Sequence, residues 1–105
     1  RAFLELPLSG EWVVYMLETR TGSLYTGVTT DLEARYRAHA AGTGARAVRL
    51  AGGPRRILWH REGLAKADAF RLERAIKRLP RERKDLLVAR GLAAVGLGPD
   101  GHPGD

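Results

Sequence analysis

The chain has 105 residues, and its 18 Lys and Arg against 12 Asp and Glu give a formal charge of +6. This length accommodates one domain and excludes a Rossmann domain joined to a substrate domain or a full β/α barrel. The absence of cysteine excludes disulfides, thiolate zinc sites, iron–sulfur clusters and thiol catalysis.

The apolar content indicates a single core. Hydrophobic residues make up 44% of the chain, which is enough for one compact domain. No apolar run approaches the roughly 20 residues that cross a bilayer, so we expect a cytoplasmic protein without membrane contacts. We expect an N-terminal extension over 1–11, a domain over 12–91 and a flexible Gly/Pro-rich tail over 92–105.

The first predicted elements form a β-hairpin. Residues 12–19 and 23–30 are rich in apolar, aromatic and β-branched side chains and flank a turn that contains Gly22. A three-residue loop with Gly22 in the left-handed conformation would place Tyr15 and Tyr25 on the same face of the sheet. A two-residue loop would place them on opposite faces, and the sequence leaves both registers open.

The segment after the hairpin predicts a helix. Thr30 and Glu33 have the spacing of a capping box, and Gly42 indicates the C-terminal end. Arg35 and His39 lie one turn apart, beside the predicted buried stripe. That stripe consists of the apolar residues at helical spacing, Leu32, Tyr36 and Ala40.

A Gly-rich basic loop is predicted over residues 42–56. It carries four arginines, Arg46, Arg49, Arg55 and Arg56. Residues 41–90 have a net charge of +9, whereas the rest of the chain sums to −3. This asymmetry is typical either of solvated helix faces or of a surface that binds a polyanion.

A third strand and two helices complete the predicted elements. The strand covers 57–62, and the helices cover 66–79 and 81–90, the latter ended by Gly91. Pro80 either ends the first of these helices or begins the second. The order β-β-α-β-α-α predicts an α+β fold with a small three-stranded antiparallel sheet flanked by helices.

A small set of polar residues occupies positions where solvated side chains are not expected. The set consists of Tyr15, Tyr25, Arg35, His39 and Glu73. Each has an ordinary explanation by itself, such as an ion pair between Glu73 and Lys77 one turn on. Together they supply the groups that phosphodiester cleavage requires: a base or water-positioning group, a cation and a carboxylate that binds a metal.

Two short motifs lie ten residues apart, Val13-Val14-Tyr15 and Tyr25-Thr26-Gly27. Together with the order of the elements, they resemble the GIY-YIG nuclease superfamily, and most of all its small stand-alone bacterial members of the UPF0213 type. Two positions depart from the superfamily pattern. Val13 stands where the first motif has Gly, and Val28 stands where some members have Lys or His.

The resemblance extends beyond these motifs and spans residues 12–85. The superfamily arginine corresponds to Arg35, and the next polar position on that helix corresponds to His39. The metal-binding glutamate corresponds to Glu73. By this resemblance, Glu73 would bind one Mg²⁺ or Mn²⁺ ion, and Arg35 would neutralise charge in the transition state.

The resemblance implies an endonuclease that hydrolyses phosphodiester bonds in DNA, with a link to DNA repair or recombination. Tyr15, Tyr25 and His39 remain alternatives for the group that positions or deprotonates the attacking water. The expected contacts with the nucleic-acid backbone come from basic residues, Arg46, Arg49, Arg55, Arg56 and Lys77. DNA is the expected partner ahead of RNA, and a repair protein is a further candidate partner. The alternative function is a non-catalytic DNA- or RNA-binding module with a degenerate site.

Overall fold

A three-stranded antiparallel sheet forms the centre of the computed structural model, which describes residues 11–104. The strands are β1 (Trp12–Thr19), β2 (Leu24–Thr29) and β3 (Pro54–Leu64). Their order across the sheet is β2-β1-β3, so β1 pairs on both sides. This architecture confirms the predicted α+β class. Apart from Glu11, the N-terminal extension predicted over 1–11 lies outside the described residues.

Helices flank the sheet on both faces. In chain order they are α1 (Leu32–Ala40), α2 (Arg46–Leu50), α3 (Lys66–Lys77), α4 (Arg81–Arg90) and a 3₁₀ helix (Leu92–Val95). None of the helices within residues 11–104 has the length and apolar character needed to cross a bilayer.

The central strand supplies a separate hydrophobic cluster on each face of the sheet. Val14 and Met16 are buried on one face, where they pack with core residues of α3 and α4. Tyr15 and Leu17 are buried on the other face, where they pack with Val48 of α2. Because side chains alternate along a strand, β1 contributes buried residues to both clusters.

The β1–β2 hairpin adopts the register of the three-residue loop. Leu17 pairs with Tyr25, and Tyr15 pairs with Gly27. Gly22 closes the loop in the left-handed region with a φ of 89°. Tyr15 and Tyr25 therefore share one face of the sheet, with ring centroids 6.3 Å apart. The two-residue loop that the sequence left open does not occur.

The beginning and the buried face of α1 both differ from the prediction. The N-cap is Asp31 rather than Thr30, and its carboxylate lies 3.0 Å from the amide nitrogen three residues on. Thr and Asp both cap helices, so residue type alone cannot separate two adjacent candidates. Ala40, predicted in the buried stripe, is exposed, and His39 is buried instead because its side chain bonds to β1.

The predicted basic loop contains more regular structure than expected. Residues 46–50 form α2, and β3 begins at Pro54 and continues to Leu64. The fully buried side chain of Val48 anchors α2 against the sheet. A single apolar residue within a basic segment is a weak local signal, so the helix depends on this tertiary contact.

The C-terminal part of the chain is packed against the core. Pro80 is the N-cap of α4, and Gly91 ends that helix with a φ of 93°. Beyond it, Val95 is buried in the same cluster as residues of α3 and α4. Residues 92–104 thus hold packed structure where the Gly/Pro-rich composition predicts a flexible tail, because Val95 supplies a side chain that the core buries.

Replacing Asp31 by Ala should lower the free energy of unfolding by about 1 kcal/mol, because the first turn of α1 loses its side-chain cap. The matched variant Thr30→Ala should change it by less than about 0.5 kcal/mol, because the Thr30 side chain makes no hydrogen bond within residues 11–104. Urea denaturation of both variants beside the wild type measures the difference. Equal losses would contradict the assignment of the cap.

Candidate active site

The side chain of Tyr15 lies at the centre of the candidate site. It is 1% exposed, and its hydroxyl oxygen lies 2.8 Å from Nε2 of His39. The Tyr15 side chain passes over Gly27 of β2, where an added Cβ atom would lie 2.6 Å from the hydroxyl oxygen. Glycine in the second motif therefore leaves the space that the Tyr15 hydroxyl occupies.

Three rings from three different elements pack together around this hydroxyl. The ring centroids of Tyr25 and His39 are 5.5 Å apart, and those of Tyr15 and His39 are 6.0 Å apart. Gly44 closes over His39, because an added Cβ atom at Gly44 would collide with Nδ1 of the imidazole. Gly44 is absent from the predicted site, since no sequence pattern marks a contact between a loop glycine and a buried ring.

The surroundings of His39 favour one neutral tautomer. Its Nδ1 atom is buried and has no hydrogen-bond partner within residues 11–104. Orphaned buried N–H groups are rare, so we assign the proton to Nε2, from which it is donated to the Tyr15 oxygen. Burial, together with the positive charge of Arg35, lowers the pKa of His39 below its ordinary value, so the ring is neutral at pH 7.

Arg35 places a positive charge beside the phenols of Tyr15 and Tyr25. It lies on α1, one turn before His39. Burial raises the pKa of Tyr15, and the Arg35 guanidinium offsets part of that rise by favouring the phenolate. The two phenols in turn raise the pKa of Arg35, so the guanidinium keeps its charge. Tyr15 is therefore a neutral phenol at pH 7.

Glu73 approaches the same site from α3, a helix that packs against β1 and β2. Its carboxylate raises the pKa of Tyr15, which puts the two groups within electrostatic reach. The Glu73 side chain is 15% exposed and forms an ion pair of 3.2 Å with Lys77. The ion pair between Glu73 and Lys77 that the sequence predicts as an ordinary explanation therefore also forms.

The carboxylate oxygens of Glu73 fit a metal ion whose coordination would be completed by water and substrate. No group of three or more His, Cys, Asp or Glu residues that could hold a metal occurs within residues 11–104. Mg²⁺ commonly takes one or two carboxylates and fills its remaining positions with water and substrate phosphate. The single half-buried carboxylate of Glu73 matches that pattern, and a closed cage of protein ligands does not form.

The four predicted arginines of the basic segment form two groups. Arg46 and Arg49 are exposed on α2, and no carboxylate of residues 11–104 lies within ion-pair distance of either. Arg55 and Arg56 lie on β3 at 3.9 and 3.0 Å from the Glu18 carboxylate. The charge of the second pair is partly neutralised, so Arg46 and Arg49 are the stronger candidates for a phosphate contact.

A cavity of about 610 Å³ opens between α1 and β3, and none of the five candidate residues lines it. Its apolar wall includes Leu32, Tyr36 and Ile57. Its polar rim carries both charge signs, namely Glu33, Arg37, His60 and Glu62. A rim of mixed charge does not favour an anionic substrate. We therefore keep the residues around Tyr15, and not this cavity, as the candidate active site.

Comparisons with known proteins show which family the chain is similar to. The GIY-YIG catalytic domain matches residues 11–85. A UPF0213 protein of Xanthomonas axonopodis pv. citri is 49% identical over 73 residues, which cover 70% of this chain and 71% of that protein. A UPF0213 protein of Yersinia pestis is 40% identical over 77 residues, covering 73% and 80% respectively. The solution NMR structure of a UPF0213 protein from Bacillus halodurans has a TM-score of 0.50 at 38% identity, covering 80% of this chain and 89% of that one.

Substituting Gly27 by Ala should displace the Tyr15 hydroxyl, because the new methyl group would lie 2.6 Å from it. We expect a loss of about 1–3 kcal/mol in the free energy of unfolding. The same substitution in a Tyr15→Leu background should cost less, because the clashing atoms are gone. A double-mutant cycle in guanidinium chloride measures this coupling, and additive losses would contradict the contact.

His39 should make the protein less stable in mild acid. Its pKa is lowered in the folded chain, so the unfolded chain, with a histidine pKa of about 6.5, binds the proton more readily. The free energy of unfolding should therefore be level above about pH 7 and fall as the pH drops through about 6.5 toward the folded pKa.

Guanidinium chloride unfolding between pH 8 and pH 5 measures this dependence. His39→Gln should flatten the curve, and the matched variant His60→Gln, at an exposed position, should retain it. If the two variants showed the same pH profile, the burial of a neutral His39 could not be the cause of the pH-dependent stability.

Proposed function

Since this chain belongs to the GIY-YIG catalytic domain family, a nuclease-type family, and its relatives are UPF0213 proteins, we propose that it is a metal-dependent endonuclease that cuts DNA. One observation supports this most strongly: the Tyr15 hydroxyl contacts His39 and lies within electrostatic reach of both Arg35 and Glu73. A cation, a metal-binding carboxylate and an oriented hydroxyl are the groups that hydrolysis of a phosphodiester needs.

Glu73 is the residue that would hold the metal. A Mg²⁺ or Mn²⁺ ion on this carboxylate would polarise the scissile phosphate and stabilise the leaving 3′ oxygen. Lys77 lies 3.2 Å from the same carboxylate and balances its charge. Its long and flexible side chain can turn to a phosphate of the substrate, which is the role that the sequence predicts for Lys77.

Arg35 would stabilise the charge that develops on the phosphorus centre. Arg35 lies on α1, and the neighbouring phenols of Tyr15 and Tyr25 raise the pKa of its guanidinium. A cation that is already in place requires no reorganisation when the transition state forms. Tyr25 would contribute by keeping the guanidinium oriented rather than by exchanging a proton.

Tyr15 would orient the attacking water, and after losing its own proton to solvent it would accept the proton of that water as a phenolate. The Tyr15 oxygen receives a hydrogen bond from His39, which fixes its position. The positive charge of Arg35 favours the phenolate, the form in which Tyr15 can act as a base. His39, neutral and with its proton on Nε2, would hold Tyr15 in place rather than remove the proton itself.

A second candidate function is a binding module without catalysis. The observation that favours it is the raised pKa of Tyr15, which leaves the site without an ionised base at neutral pH. In either case we propose a cytoplasmic protein that acts on DNA in repair or recombination, with a repair protein as a further partner. Cleavage assays with Mg²⁺ and Mn²⁺ on labelled DNA and RNA separate the two functions.

Glu73→Gln should slow metal-dependent cleavage of labelled DNA by at least about 100-fold, because it removes the metal-binding charge and keeps the side-chain shape. The matched variant Glu33→Gln removes an exposed carboxylate from α1 and should cleave at the wild-type rate. Cleavage by Glu73→Gln at the wild-type rate would refute the proposed site. Binding without cleavage by the wild type, on every substrate and with both metals, would establish the binding module.

A further inference from the structure

Leu50 is the one large hydrophobic side chain that is exposed within residues 11–104, with 69% of its surface open to solvent. It is the last residue of α2. Arg46 and Arg49 lie on the same helix at spacings that bring all three side chains to one face. We call these three residues the outer face of α2. Val48, on the opposite face, is fully buried.

The outer face of α2 is tied directly to the candidate active site. Val48 belongs to the same buried cluster as Tyr15 and Leu17. The carbonyl of Val48 accepts a 2.9 Å hydrogen bond from the Gly53 N–H, which secures the end of the helix. The loop residue Gly44, just before α2, lies against His39. Whatever contacts Leu50 is therefore held at a fixed position relative to Tyr15.

The charge around Leu50 indicates which kind of partner it meets. Arg46 and Arg49 have no carboxylate within ion-pair distance in the described chain, so both are available to an anion. A protein partner would normally require a broader apolar area than one leucine. Nucleic acid presents phosphates beside the apolar faces of bases, and those faces are open only where stacking is interrupted.

We propose that the outer face of α2 binds DNA at a point where bases are unpaired or unstacked. Leu50 packs against the exposed face of a base, while Arg46 and Arg49 contact the flanking phosphates. This inference rests on the proposed nuclease function and names its substrate class: DNA with a flap, branch, bulge or mismatch. In continuous duplex the same contact would require a base step to be opened, whereas at a junction that step is already open.

Fluorescence anisotropy with the full chain tests the proposal, in EDTA so that no substrate is cut. The probes are a labelled duplex and a labelled fork with the same number of phosphates. The wild type should bind the fork about tenfold more tightly, and Leu50→Ala should reduce this preference to less than about twofold without weakening duplex binding. Leu50→Phe keeps an apolar face and should retain the preference.

Two charge variants serve as matched controls. Arg49→Gln should weaken binding to both probes equally. It should also reduce the slope of log binding constant against log salt concentration by about one, as expected for the loss of a phosphate contact. Arg90→Gln removes an exposed charge at the end of α4 and should change neither affinity. A 2-aminopurine base at the fork should lose its protein-dependent change in fluorescence in Leu50→Ala.

The outcomes separate this proposal from the nuclease assignment. Equal wild-type affinity for fork and duplex, or an undiminished fork preference in Leu50→Ala, would overturn the role of Leu50. Glu73-dependent cleavage could still be observed in that case, and the nuclease function would stand. A wild-type chain that binds neither probe would overturn both.

Discussion

The buried hydrogen bond between the Tyr15 hydroxyl and His39 is the contact on which the arrangement of the site depends. It joins the central strand to α1 at a distance of 2.8 Å, between two side chains that are each 1% exposed. Breaking it would leave the imidazole with no partner on either nitrogen, since Nδ1 already has none within residues 11–104. Gly27 and Gly44 are required for the same reason, because a side chain at either position would occupy the space of these two groups.

The central strand connects the two halves of the site because its side chains alternate between the faces of the sheet. Tyr15 faces α1 and α2, which carry the imidazole and the exposed arginines. Val14 and Met16 face α3, and their packing holds the helix that carries Glu73. A shift of one residue in the pairing of β1 would reverse both faces and separate the tyrosine from its partners. The register of the hairpin is therefore a requirement of the site as well as of the fold.

Residue types alone are sufficient to predict the elements that have distinctive residues at their ends or along their length. The first strand is apolar and β-branched throughout, and α4 lies between Pro80 and Gly91, so both agree with the prediction. The hairpin register remained open because Gly22 is compatible with two loop lengths. The helix α2 was not predicted because it depends on burying Val48 in a distant cluster. The candidate residues of the site are marked by polar groups in unexpected positions and by the resemblance in spacing, whereas hydrophobic periodicity alone treats His39 as a polar neighbour of the core.

The charges of the site fit a metal ion that the protein and the substrate would hold together. Within residues 11–104, Arg35 lies beside phenols, and Glu73 is the acid whose charge acts on Tyr15. In the proposed nuclease, one carboxylate would hold Mg²⁺ weakly, so the substrate phosphate would supply further ligands to the ion. Phosphate binding carries little information about base sequence, and a domain of this size reads few base edges. In the proposed nuclease, selectivity would then come from the shape of the DNA. The chain presents an exposed leucine beside two arginines on a helix that packs in the same cluster as Tyr15, and in the proposed complex this leucine would sense where the base stack is interrupted.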